Sequence, residues 1–125
     1  METITFKKSG NPIRLIFKVL KEKLAVVYSI ELLKNRNKKS TSIYNGDDYR
    51  KLDHTYFLPV PVNENNKRIL SINANYTGFE TNNDKNYLLT FEAYQGDLLL
   101  SHFENSGSLS SLEENISLSF QLVMI

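Results

Sequence analysis

The sequence predicts an all-β fold: an antiparallel β-sandwich of about eight short strands, jelly-roll, C2-like or immunoglobulin-like in general architecture. Three observations predict it. Ile116, Leu118, Phe120, Leu122 and Met124 alternate with Ser117, Ser119, Gln121 and Val123, the period of a strand with one buried and one wet face. Runs 86–95 and 97–103 meet across Gln95-Gly96-Asp97, a short hairpin in which glycine supplies a positive φ. Polar stretches rich in Asn, Gly and Ser punctuate the chain near 34–40, 63–66, 82–86 and 104–113, as loops do between short strands. No stretch of residues resembles a particular family.

Taken in order, Ile4 and Phe6 open a first short strand. Segment 11–35 carries two patterns. As strands, Ile13, Leu15, Phe17 and Val19 form one face, Lys21-Glu22-Lys23 turns, and Leu24, Val26, Tyr28, Ile30 and Leu32 form a second face. As a helix over about 12–30, Asn11 caps, Pro12 takes the first position, and Arg14, Lys18, Lys21, Glu22 and Ser29 share a polar side. The β-branched and aromatic content favours strands, and the helix, which would make the fold α+β, is the alternative.

Asn45-Gly46 reads as a two-residue turn between weak strands at 40–44 and 47–52. Segment 56–62 reads as an edge strand with Tyr56, Leu58, Val60 and Val62 inward. Pro59 and Pro61 then fall on one parity and delete donors from the open side alone. Segment 67–76 adds a strand with Leu70, Ile72, Ala74 and Tyr76 on one face. All of this fits a single domain spanning 1–125, long enough to bury its own core.

Composition narrows the chemistry. Hydrophobic residues make up 41% of the 125 and charged residues 23%, with a net charge of +1. A chain so balanced folds rather than staying disordered and lacks the basic surplus that draws proteins to nucleic acid. The run Lys34, Arg36, Lys38 and Lys39 reads as a solvated hairpin tip. Cysteine is absent, which removes disulfides, thiolate metal sites and thiol catalysis together. No apolar run reads as a secretory signal or approaches a membrane span. A cytoplasmic protein without membrane insertion is expected, with signal-independent export left open.

Catalytic patterns are missing. There is no Gly-x-Ser-x-Gly elbow, and the five glycines stand singly near turns rather than in a phosphate-cradling loop. Glu113-Glu114 are sequence neighbours that point apart on a strand. His102 follows Leu98 and Leu100 on one parity and reads as a packed or rim histidine. The densest polar constellation is 44–54, where Tyr44, Asp47, Asp48, Tyr49, Asp53 and His54 gather oxygen ligands, an imidazole and aromatic rings. Its spacing does not match a calcium loop, so no metal and no cofactor are expected. As a ligand site these residues suit a carbohydrate, with Tyr76 and Tyr94 as further aromatic platforms.

The function expected is therefore a small non-catalytic interaction or assembly module, contacting a protein partner or itself. A lectin-like ligand binder is the alternative, and an enzyme with an unrecognised site comes third. Val123 and Ile125, apolar on the otherwise wet face of the last strand, are the expected subunit contact.

Overall fold

Strand formation follows the parity of apolar residues throughout the computed structural model, which describes residues 2–21, 24–33, 40–48, 52–78, 86–108 and 113–125. Nine strands are present among them: β1 (Glu2–Phe6), β2 (Ile13–Lys21), β3 (Leu24–Leu32), β4 (Thr41–Asp48), β5 (Leu52–Phe57), β6 (Ile69–Gly78), β7 (Asn86–Gln95), β8 (Leu98–Ser108) and β9 (Glu113–Met124). A 3₁₀ turn at Val62–Asn65 precedes β6.

The strands form two packed sheets. One has five strands in the order β1-β9-β6-β3-β4, the other four in the order β5-β2-β7-β8. Neighbours are antiparallel except that β1 runs parallel to β9. Parallel neighbours need a long crossover, and here the whole intervening sandwich supplies it. The all-β sandwich predicted from the sequence is the fold.

Segment 12–33 forms two strands, not a helix. Ile13, Leu15 and Phe17 from β2, and Val26, Ile30 and Leu32 from β3, are fully buried, each set on a single parity. Helical geometry would spread such a set around the helix circumference. The inner faces of both sheets close on one core, where Phe91 of β7 stacks on Phe120 of β9 at 5.2 Å.

Three expectations are corrected. Asn45-Gly46 is not a turn: both residues lie within β4, opposite Ser29 and Tyr28 of β3. The local turn preference yields to a ladder that continues to Asp48. Segment 56–62 is not strand throughout. β5 is indeed an edge strand, but it ends at Phe57. The Leu58 amide makes the last bond of this run, to the Ile13 carbonyl. Pro59 and Pro61 then turn the chain out of the sheet through a cis Val60–Pro61 bond, leaving Val60 exposed rather than inward. Prolines that were read as edge guards are strand terminators, because a residue without N–H cannot extend the pairing.

The third correction concerns the parity expected to be shared by Leu98, Leu100 and His102. A register shift beside Ala93/Tyr94 pairs Ala93 with Ser101 but Tyr94 with Leu99. This bulge places one extra residue in β8 and reverses its parity. Leu100 packs against the core while Leu98, Leu99 and His102 face water.

Buried polar groups fasten the corners. Arg68, only 3% exposed, donates from Nε to the Leu33 carbonyl and from one terminal nitrogen to Leu32 O and Thr41 Oγ1. Gln95 accepts from the Lys7 amide and donates to Lys7 O and Asn11 O. That clamps the β1–β2 connection to the β7–β8 hairpin, where Gly96 has φ +59°. No helix among the described residues is long and apolar enough to cross a membrane.

Candidate interaction surface

The constellation expected at 44–54 is only partly brought together. Tyr44 of β4 and His54 of β5 meet at the open side of the sandwich, ring centroids 6.1 Å apart. They are half-buried between the layers rather than displayed on a loop rim. Tyr28 and Tyr56 complete the cluster: Tyr44 stacks on Tyr28 at 4.7 Å and lies 5.2 Å from Tyr56. Both additions were legible as apolar-parity residues of β3 and of segment 56–62, but nothing in the sequence showed those strands converging.

Asp47 is paired with Val27 in one sheet and Asp53 with Lys18 in the other, so the backbone sets these two positions on different layers. The side chains of Asp47, Asp48 and Asp53 lie outside the described set, as do the whole of Tyr49 and the basic run at 34–39. Among the described residues no group of three His, Asp or Glu side chains converges as metal ligands would. Tyr76 is fully buried, which corrects its reading as an exposed platform.

A different surface gathers more chemistry: the outer face of the four-stranded sheet. Register places Phe57 of β5 opposite Arg14 of β2, Arg14 opposite Tyr94 of β7, and Tyr94 opposite Leu99 of β8. These four side chains therefore form a transverse row across the whole sheet. Phe57 is 61% exposed and Leu99 47%. The Arg14 guanidinium lies 5.0 Å from the Tyr94 ring centre and donates to the Gly96 carbonyl at 3.2 Å, so its plane is held rather than sweeping through solvent. At the end of the row a groove of about 360 Å³ is lined by Asn11, Pro12, Arg14, Phe57, Gly96 and Asp97.

Beside this row lies a polar network. Tyr94 donates its hydroxyl to Glu92 Oε2 at 3.2 Å. The same oxygen is 3.2 Å from His102 Nδ1, while His102 Nε2 is 3.8 Å from Glu104 Oε2. The Tyr94 phenol is pushed above its ordinary range by desolvation first and then by the Glu92 charge and hydrogen bond, with Arg14 opposing. It thus stays a neutral hydroxyl, a donor with an apolar ring. The face offers apolar area, an anchored guanidinium and two carboxylates.

The expected contact residues at the chain end behave unequally. Ile125 is 72% exposed, whereas Val123 is half-buried opposite Thr5. The sequence did not reveal the Phe57–Leu99 row, because Phe57 was assigned to a proline-bearing strand and Leu99 sits at the bulge. No family model matches the chain, and neither curated proteins nor solved structures yield a match.

Proposed function

We propose that the chain is a small non-catalytic interaction module that docks a protein partner on the outer face of its four-stranded sheet. The observation that carries this reading is the row Phe57, Arg14, Tyr94 and Leu99 in register across all four strands. A solvated sheet face normally presents polar residues, and here two large apolar side chains flank a stacked Arg–Tyr pair. Aromatic residues and arginine are the types enriched where interfaces are fully desolvated. Cations on β2 (Arg14, Lys18) beside anions on β7 and β8 (Glu92, Glu104) suit a partner that carries both signs.

The test is photo-crosslinking from a benzophenone side chain placed at position 57 in the full chain, expressed in its source cell. A discrete adduct at 57, absent when the probe sits at the exposed Glu31 position on the other sheet, is the expected result. Equal labelling from both positions overturns the reading.

One observation favours a second, lectin-like reading. The outer face of the five-stranded sheet carries a depression of about 200 Å³ lined by Val27, Ser29, Asn73, Asn75 and Asn115 among others, with Ser117 donating to Asn73 Oδ1 at 2.7 Å. Amide and hydroxyl groups beside one exposed valine match the alternating polar and C–H surfaces of a neutral sugar. Binding on a glycan array, lost on Asn75→Ala, supports it; an array without signal removes it.

A further inference from the structure

We infer that β8 pairs edge to edge, antiparallel, with the β8 of a second copy, with Phe103 on the two-fold axis. The inference rests on the reading of the chain as an assembly module and names one partner, itself. It uses the sheet edge rather than the outer face.

Four strands lie at sheet edges. β1 has 5 residues, β4 has 8, β5 has 6 and β8 has 11. An exposed edge recruits another strand unless it is short, bulged, or guarded by proline or lysine. β5 is short and runs into Pro59 and Pro61. β8 carries neither proline, lysine nor arginine, and its bulge lies near its start, at Leu99–Ser101. The stretch Ser101–Ser108 pairs regularly with β7, and no strand among the described residues pairs with its other side.

Electrostatics then select a register. In an antiparallel pair, residues directly opposite share a face, so the symmetric registers centre on a residue. Centring on Glu104 sets carboxylate against carboxylate, and centring on His102 sets imidazole against imidazole. Centring on Phe103 sets His102 of each copy opposite Glu104 of the other, twice. It also sets Ser101 opposite Asn105. An imidazole facing a carboxylate can hydrogen-bond across the strands, whereas two facing carboxylates repel.

The inner side of the same edge has room for the partner. A depression of about 200 Å³ beside β8 is lined by Glu2, Phe103, Leu118 and Phe120 with the neighbouring serines Ser117 and Ser119. It exists because β1 reaches only from Phe120 onward along β9, which leaves the earlier part of that strand uncovered. Phe103 is half-buried and packs edge-on against Phe120 at 6.1 Å. In the Phe103-centred register each copy delivers its Phe103 to the depression of the other. The paired sheets then become one eight-stranded sheet whose outer surface joins two Phe57–Leu99 rows.

The test is sedimentation equilibrium on the purified full chain. The wild type is expected to dimerise, and His102→Glu to raise the dissociation constant roughly tenfold or more, because like charges then face each other twice. Adding Glu104→Lys to that variant sets a carboxylate against an ammonium and is expected to recover most of the loss. A wild type that stays monomeric across the concentration series, or a double variant as weak as the single, overturns the inference. The register has its own readout, since introduced cysteines are the only thiols in the chain. Ser101→Cys and Asn105→Cys chains, mixed, should cross-link through a short bis-maleimide faster than either alone, and equal rates overturn the register. Adduct formation at position 57 decides the docking reading independently, because a monomer can still show it and a β8 dimer can lack it.

Discussion

The hydroxyl oxygens of Tyr28 and Tyr56 lie 2.6 Å apart, joining β3 of one sheet to β5 of the other. Tyr28 is 1% exposed and stacks on Phe17 at 4.4 Å, so the contact is held by packing on both sides. The two sheets, packed on apolar side chains, are pinned here by a directional bond. Such a bond fixes where the layers stand relative to each other, which hydrophobic packing alone does weakly.

Removing either hydroxyl leaves the other without this partner. Tyr56→Phe is expected to lower stability by about 0.5–1.5 kcal/mol, the range for losing one hydrogen bond. The double change to phenylalanine should cost less than the sum of the two single changes, because both single changes lose the same bond. Urea denaturation of the four proteins closes the cycle. Strict additivity means the hydroxyls do not interact.

Arg68 presents a buried cation with a different logic. Burial pushes its guanidinium below the ordinary value while the charge of Glu64 partly opposes this, yet the group remains a cation at any working pH. Its fork satisfies the Leu32 and Leu33 carbonyls where β3 ends. Arg68→Met keeps the apolar stem but strands those acceptors, and is expected to cost at least about 1.5–3 kcal/mol. Arg68→Lys should recover only part of it, since a single ammonium cannot reproduce the fork. Equal melting temperatures for the methionine variant and the wild type would remove Arg68 from the set of fold-holding residues.

What the sequence revealed follows from the range of the forces involved. β6, β7 and β9 were legible because burial on one face writes itself as alternation, and the Gly96 hairpin because its backbone needs a positive φ. Asn45-Gly46 misled for the opposite reason. Its turn preference is local, while its pairing with β3 is made by residues fifteen or more positions away. In that ladder Gly46 lies opposite Tyr28. The β8 bulge was equally hidden: an extra residue reverses parity without any residue type announcing it. The Phe57–Leu99 row depends on both the proline stop and the bulge, and so required the structure.

The Gln95 clamp gives a test of close packing. A Cβ added at Gly10 would meet Gln95 Nε2 at 2.5 Å, and Gln95 cannot retreat without releasing Lys7 and Asn11. Gly10→Ala is expected to cost about 1–3 kcal/mol, as overpacking does. Gln95→Ala removes the obstacle, so Gly10→Ala in that background should be milder. Thermal melting of the single and double variants measures the coupling, and an unchanged penalty in the double variant rules out Gln95 as its source.

The end of β9 carries the last prediction. β9 lies between β1 and β6, so its hydrogen-bonding edges are occupied where Val123 sits, and a partner can reach it only through the outer face. Ile125 is largely exposed, although its amide still donates to the Phe6 carbonyl at 2.9 Å. That backbone bond survives any side-chain change. Val123→Lys can keep its stem on the sheet while the ammonium reaches water. The double variant Val123→Lys, Ile125→Lys is therefore expected to melt within about 0.5 kcal/mol of the wild type, as surface changes do. If this patch is a contact, the same variant also loses any species heavier than the β8-paired dimer in sedimentation velocity. Unfolding would place Val123 in the core. A folded variant that keeps those heavier species, or a wild type that never forms them, removes the chain end from the assembly and leaves the sheet outer face and the β8 edge as its contact surfaces.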